Sequence, residues 1–349
     1  MSGPRRYLVV GPAWVGDMVM AQSLFMTLKQ QDPDCRIDVL APDWSLPLLA
    51  RMPEVNEAIA LPVAHGELAL AIRWRLGRQL RGRGYTQALV LPRSAKAALV
   101  PFLARVPLRT GYRGEMRYGL INDLRRLDRT VLVQTVQRMV ALGLPPDAAN
   151  PPEVPPPALT IDPGNQRQRI KQLGLAVEKP VIGLMPGAAY GPAKQWPLDR
   201  WRALAGSLLE EGFRVWIFGS EAERSLAATL REAGEGVIDL CGRTRLTDTV
   251  DLLAACRAAV SNDSGLLHVA CATGIPVVGI YGSSTPAYTP PLSDRARIVY
   301  LGLECSPCFQ RQCPLGHTRC LADIKVEQVR KALDAALGRA GSGQPHAED

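Results

Sequence analysis

The stretch Gly183-Leu-Met-Pro-Gly-Ala-Ala-Tyr-Gly-Pro-Ala-Lys-Gln-Trp-Pro197, read together with Asn262-Asp-Ser-Gly-Leu-Leu-His268, decides the fold. In each, an apolar run of strand character gives way to small or turn-forming residues, and a helical pattern begins just beyond. The first stretch supplies Gly187, Ala188 and Lys194; the second supplies Asp263 and a Ser264-Gly265 pair that opens a helix. Strand ends facing helix N-termini are where α/β proteins hold phosphate and ribose, because the helix presents unpaired N–H groups and the positive end of its dipole. Two such loops in one half of a chain point to a nucleotide-linked ligand.

Outward from these loops, apolar runs alternate with helical periodicity. In the second half the predicted strands are Val181–Met185, Arg214–Phe218, Gly236–Leu240, Ala258–Val260 and Pro276–Ile280. Helices are predicted between them at Leu198–Gly212, Glu221–Ala233, Leu246–Ala255 and Leu266–Thr273. The first half repeats the scheme with strands Tyr7–Val10, Arg36–Leu40, Ala58–Leu61 and Ala88–Leu91, and helices Met18–Gln31 and Gly66–Gly84. Such alternation implies α/β architecture with doubly wound parallel sheets. Seven prolines in the thirteen residues Pro145–Pro157 exclude regular structure and mark a semi-rigid linker. The expected organisation is a domain over 1–157 that ends in this linker, a second over 158–337, and a polar tail over 338–349 read as disordered.

The chain has 349 residues, 47% of them hydrophobic, which is enough to bury more than one core. No apolar run reaches membrane-spanning length. The basic residues at the N-terminus precede an apolar run too short for a signal peptide, so a first strand and a cytoplasmic location are expected. The net charge is +8, with Arg73, Arg75, Arg78, Arg81 and Arg83 in one stretch. These arginines form either a solvated helix face or a basic rim for a phosphorylated, membrane-embedded partner. Aromatic residues make up only 5% of the chain and no nucleic-acid-binding signature is present, which argues against a nucleic-acid partner.

Single residues carry two readings each. Gly11-Pro-Ala-Trp-Val-Gly-Asp17 follows the first strand but is neither a dinucleotide fingerprint nor a Walker loop. Asp17 is a helix-capping residue or, at the edge of a cleft, a general base for an attacking hydroxyl. Lys194 is a surface lysine or a phosphate contact. Asp263 and Ser264 start a helix, and the N–H groups of Ser264, Gly265 and Leu266 are open to a diphosphate. His268 reads first as a core residue. Glu223 is a solvated helix-start carboxylate or a ribose ligand.

Five motifs together carry a resemblance. They are Gly11-Pro-x-Trp-Val-Gly-Asp17-Met, Arg51-Met-Pro-Glu-Val-Asn-Glu57, Arg109-Thr-Gly-Tyr-Arg-Gly-Glu-Met-Arg-Tyr-Gly119, Pro186-Gly-Ala-x-x-Gly-Pro-Ala-Lys-x-Trp-Pro197 and Asn262-Asp-Ser-Gly-Leu-x-His268. From about residue 6 to about residue 337 the chain resembles the lipopolysaccharide heptosyltransferases of glycosyltransferase family 9, in their type II form. The resemblance implies a GT-B fold, two Rossmann-like domains facing a central cleft, with an acceptor-binding N-terminal domain and a donor-binding C-terminal one. It implies inverting transfer of L-glycero-D-manno-heptose from ADP-heptose to the first heptose of the inner core, on a heptosyl-Kdo2-lipid A acceptor at the inner face of the cytoplasmic membrane. By position, Asp17 matches the catalytic base and Lys194 the residue that neutralises the leaving phosphate. Gly187, Ala188, Glu223, Leu246, Asp263, Ser264, Gly265, Leu266 and His268 match the donor site, with Glu223 on ribose and Leu246 on adenine. Trp14, Arg93, Lys96, Arg113 and Arg117 are the acceptor-side candidates. No cofactor is required by this chemistry.

Cys305, Cys308, Cys313 and Cys320 stand apart from the pattern, with His317 among them. The C-x-x-C half-site suits a structural zinc, while the C-x6-C half is irregular for one, so a reduced thiol loop or a place in the acceptor cleft stays open. Type I or type III transfer to another core acceptor also stays open, as does a nucleotide-binding module without transferase activity.

Overall fold

The computed structural model describes residues 4–64 and 66–338. The predicted tail therefore lies, beyond Gly338, outside the described residues. The chain forms two compact units: residues up to Thr160 together with Ala287–Thr289, and Ile161–Pro286 together with the chain from Pro290 onward.

The first unit contains β1 (Arg6–Val10), α1 (Val15–Gln31), β2 (Arg36–Ala41), α2 (Leu46–Leu49), β3 (Glu57–Ala60), α3 (Leu70–Leu80), β4 (Gln87–Val90), α4 (Leu99–Leu103), β5 (Leu108–Tyr112), β6 (Asp123–Arg125) and α5 (Thr135–Gly143). Its strands form one sheet in the order β3-β2-β1-β4-β5-β6, parallel at every ladder. Leu8, Val9, Val10, Ala88, Leu89 and Val90 are all buried, which explains why the central strands read as unbroken apolar runs rather than alternating ones. Helix α1 is buried on most of its surface. A Cβ at Gly143 of α5 would sit 2.4 Å from Leu24 Cδ1 and 3.1 Å from Leu28 Cδ2, so glycine sets the close approach of α5 to α1.

Two differences from the sequence reading have physical causes. Helix α3 is shorter at both ends than Gly66–Gly84, because Ala69 and Gly82 adopt left-handed φ values of 42° and 87°. The proline-rich stretch has no regular structure, yet its end is fastened to α1. Gln22 Nε2 donates to Ala158 O (2.7 Å) and Ser23 Oγ to Pro155 O (2.7 Å). The Thr160 N–H donates to Arg51 O (2.8 Å), and the first unit accordingly runs to Thr160.

The second unit contains α6 (Pro163–Gln172), β7 (Val181–Met185), α7 (Leu198–Glu210), β8 (Arg214–Ile217), α8 (Arg224–Arg231), β9 (Val237–Asp239), α9 (Leu246–Ala254), β10 (Ala258–Asn262), α10 (Gly265–Ala272), β11 (Val277–Tyr281), β12 (Ala296–Tyr300), α11 (Arg319–Ala322) and α12 (Val326–Ala336). Its sheet is again parallel, in the order β12-β11-β10-β7-β8-β9. The core on one face gathers Ile182, Leu184, Trp196, Trp201, Val260 and Ile280. Among the described residues, no helix is long and apolar enough to cross a membrane.

Candidate active site

Each sheet has one point where consecutive connections run to opposite sides. In the second unit β7 leads to β8 and β9 on one side, while β10 leads to β11 and β12 on the other. The loops after β7 and β10 therefore diverge and leave a crevice at their carboxyl ends, the usual ligand position in open α/β sheets. In the first unit the same switch falls between β1 and β4. Most of the predicted site residues lie on or beside these switch-point loops, while Glu223, Leu246, Arg113 and Arg117 follow other strands.

After β7, Lys194 ends a short 3-10 turn (Pro192–Lys194). Its ammonium donates to Asp263 Oδ2 at 2.5 Å, with the two side chains 17% and 4% exposed. Ser284 Oγ donates to the same carboxylate oxygen. A carboxylate this deeply placed needs such donors, because leaving it unpaired would cost several kcal/mol, on the order of 3–5. Asn262, fully buried, joins the two loops: its Oδ1 accepts from Trp196 N (3.1 Å) and its Nδ2 donates to Pro186 O (2.6 Å). Beyond Asp263, helix α10 begins with Ser264 as an N-cap whose side chain caps nothing. Ser264, Gly265 and Leu266 are half-buried, whereas the rest of α10 is buried. The start of α10 thus presents backbone donors at the sheet edge.

Glu223 is a half-buried helix-start carboxylate whose two oxygens have different surroundings. Its Oε2 accepts from Ser220 N (2.6 Å) and Ser220 Oγ (2.9 Å), closing a capping box at the turn before α8. Its Oε1 lies over Gly187, where a Cβ would come within 1.5 Å of it. One oxygen is therefore spent on holding the turn, and the other is aimed toward the β7 loop. Leu246, half-buried, is the first residue of α9. Gly187→Ala is expected to push the Glu223 carboxylate aside and weaken adenosine-nucleotide binding about tenfold or more without unfolding the chain. Calorimetric titration with ADP beside a thermal melt checks this; unchanged affinity would separate Glu223 Oε1 from the nucleotide.

His268 is buried in α10, as expected for a core residue. Burial lowers its pKa from the ordinary 6.5; Asp263 opposes that shift and Lys194 adds to it. The sign follows from proton linkage. Above about pH 6.5 neither folded nor unfolded chain holds the proton, and below it the unfolded chain takes it up first, so stability is lost as pH falls. Melting temperatures at about pH 7.5 and about pH 5.5 are expected to differ more for the native chain than for His268→Gln.

In the first unit Asp17 sits in the first turn of α1, half-buried. The N-cap position belongs to Trp14, so Asp17 is not itself the cap. Asp17 borders a cavity of about 810 Å³ whose wall also includes Trp14, Trp44, Arg93, Lys96 and Arg129. Two acceptor-side candidates fall outside it. Arg117 is 1% exposed, and its guanidinium is consumed by the carbonyls of Tyr112 and Pro92, so it is an internal brace rather than a ligand contact. Arg113 is exposed but does not border the cavity; its Nε donates to Tyr118 Oη at 2.8 Å. Trp44 and Arg129 border the cavity without having been singled out by sequence, since neither belongs to a motif.

The cysteine segment brings its four thiols near one another, since Cys305, Cys308 and Cys313 all act electrostatically on Cys320. Among the described residues, no group of three or more His, Cys, Asp or Glu side chains is placed to hold a metal ion, and all four thiols are free. The segment also buttresses the β7 and β11 loops. Phe309 O accepts from Tyr190 Oη (2.7 Å), Arg311 O accepts from Ala193 N (3.1 Å), and Phe309 N donates to Ser283 O (2.7 Å). Ser306 Oγ donates to Gly282 O. Cys320 is buried in the core, and burial followed by the neighbouring thiols pushes its pKa up to about 11.

Comparison with known proteins adds the following. Residues 73–319 match glycosyltransferase family 9 (heptosyltransferase). The lipopolysaccharide heptosyltransferase 2 of Escherichia coli K12 is 45% identical over 342 residues, covering 95% of this chain and 98% of the relative. The lipooligosaccharide heptosyltransferase 2 of Haemophilus influenzae is 45% identical over 346 residues, covering 95% and 99%. The solved structure of the E. coli ADP-heptose lipopolysaccharide heptosyltransferase II superposes with a TM-score of 0.82 at 41% identity, covering 95% of this chain and 98% of that one.

Proposed function

From the premise that the chain belongs to glycosyltransferase family 9, the heptosyltransferases of lipopolysaccharide biosynthesis, with two parallel six-stranded sheets of the GT-B class, we propose a specific transfer. The donor is ADP-heptose. The acceptor is the first heptose of the inner core, borne on Kdo2-lipid A. The second unit binds the donor and the first unit the acceptor. The observation that carries this reading is the grouping, within one sheet edge, of Lys194, the uncapped start of α10 and Glu223 over Gly187. Together they supply a cation and helix N–H groups for a diphosphate, and a carboxylate for ribose.

In this reading Asp17 takes the proton from the acceptor hydroxyl as its oxygen attacks the anomeric carbon of heptose. The bond from that carbon to the ADP oxygen breaks in the same displacement, which inverts the anomeric centre. Charge then grows on the departing diphosphate, where Lys194 and the N–H groups of Ser264, Gly265 and Leu266 stabilise it. Leu246 packs on adenine, and Ala188 and His268 line the donor loops. Trp14, Arg93 and Lys96 contact the acceptor, whose sugars carry carboxylate and phosphate charge. Peripheral contact with the cytoplasmic face of the inner membrane follows from the acceptor's lipid anchor. This chemistry asks for no cofactor.

The test supplies ADP-heptose with a core acceptor bearing one heptose and, separately, with one bearing none. Product is expected only from the former. Product only from the latter would reassign the chain to the transfer of the first heptose.

A further inference from the structure

Between Leu68 and Gly114 the chain carries nine arginines and Lys96 but no carboxylate, so this segment alone exceeds the net charge of +8 of the whole protein. Arg73 is its buried anchor. Its guanidinium donates to Leu68 O (2.6 Å), Lys96 O (3.1 Å) and Glu67 O (3.4 Å), which fixes how α3 is rotated. The residues on either side of it then face outward. Leu70, Trp74 and Arg78, spaced at i, i+4 and i+8, share one stripe. Leu70 is 58% and Trp74 53% exposed, and the Arg78 guanidinium lies 5.0 Å from the Trp74 ring centre. Arg75 is exposed beside them, and neither Arg75 nor Arg78 forms a salt bridge among the described residues.

Helix α4 continues this surface. A Cβ at Gly77 would lie 2.4 Å from Leu103 Cβ, and Arg81 Nη2 donates to Leu103 O at 3.0 Å, so the two helices meet along one seam. Phe102 is 43% exposed, with the Arg109 guanidinium 5.6 Å from its ring centre, and Arg105 is exposed just after α4. A surface meant only for water would not expose Leu, Trp and Phe among cations with no carboxylate between them. Apolar bodies that enter the acyl boundary, ringed by arginines that reach headgroup phosphates, are the pattern of an interfacial helix on an anionic bilayer.

We propose that the α3–α4 face docks the enzyme on an anionic phospholipid surface through Trp74, Phe102, Arg75 and Arg78. This rests on the reading of the acceptor as a membrane-borne glycolipid and names the part of the chain that meets the membrane.

The test is co-sedimentation of the full chain with vesicles of phosphatidylethanolamine and phosphatidylglycerol, and with vesicles of phosphatidylcholine. The native protein is expected to bind the anionic vesicles, and Arg75→Glu/Arg78→Glu to bind them about tenfold or more weaker. Trp74→Ser is expected to weaken binding less. Both variants should melt like the native chain and keep its rate on a delipidated, soluble core acceptor bearing one heptose. Native binding to neither vesicle, equal binding to both, or charge-reversed protein sedimenting like native would overturn the proposal. So would polyglutamate displacing the protein at equal charge concentration from vesicles of any composition, which would assign the face to an acidic protein. Native protein that sediments with anionic vesicles but transfers no heptose to the soluble acceptor would remove the transfer reading and leave the docking face standing.

Discussion

Asp17→Asn is expected to slow heptose transfer by roughly a hundred- to ten-thousand-fold, the range in which a positioned general base acts. The substitution keeps the size of the side chain in the first turn of α1 and removes its negative charge and with it the capacity to take a proton. Because Asp17 lies in the first unit and the donor loops in the second, ADP affinity should be unchanged. The loss should fall on kcat rather than on KM for the donor, since the proton moves only in the transition state. Steady-state kinetics with ADP-heptose and the one-heptose acceptor decide it. Full activity in Asp17→Asn would show that another group, or water alone, accepts the proton.

Lys194→Ala should be as damaging for a different reason. The ammonium is held 2.5 Å from Asp263 Oδ2, so its removal does more than delete a cation from the phosphate site. It also leaves a carboxylate that is 4% exposed with one charged partner fewer, beside the position proposed for a diphosphate. We expect kcat to fall about 10²–10³-fold, as for loss of an electrostatic stabiliser, with a clear loss of ADP affinity as well. The two parts can be separated. Lys194→Ala/Asp263→Asn should regain ADP affinity relative to Lys194→Ala, because the stranded negative charge is gone, but should not regain kcat. If the double variant binds ADP no better than the single one, repulsion by Asp263 is not the cause.

Most of the parallel-sheet framework could be read from sequence because its strands are buried on both faces. Tyr7–Val10, Val181–Met185 and Ala258–Asn262 have no solvent side to interrupt their apolar runs. Helices α5 and α12 went unpredicted although each buries an apolar face, Val136, Met139, Val140 and Leu142 in one and Val329 and Leu333 in the other. Three further missed elements have weak patterns of their own. The burial of β12 is mixed along its length, β6 is only three residues and half-buried throughout, and α6 buries no residue at all, so none carries a strong period. Strand β5 coincides with Arg109–Tyr112, which drew attention as a motif and not as a strand. Among site residues, a strand-to-helix position gave away Asp17, Lys194 and Asp263. Ser284 and Trp44 were invisible because their roles depend on partners distant in sequence. Arg117 misled for the opposite reason: nothing in its neighbours announces that three backbone carbonyls within twenty-five residues would enclose it.

The lysine loop is stitched at both ends and in the middle: Pro186 and Trp196 to the Asn262 amide, Tyr190 and Ala193 to the carbonyls of Phe309 and Arg311. A segment held at four points before any ligand arrives has little conformational freedom left to surrender. Donor binding to the second unit should therefore carry a small entropic penalty, and hydrogen exchange in residues 186–196 should already be slow in the absence of nucleotide. Whatever movement accompanies catalysis, this loop enters it as a rigid part.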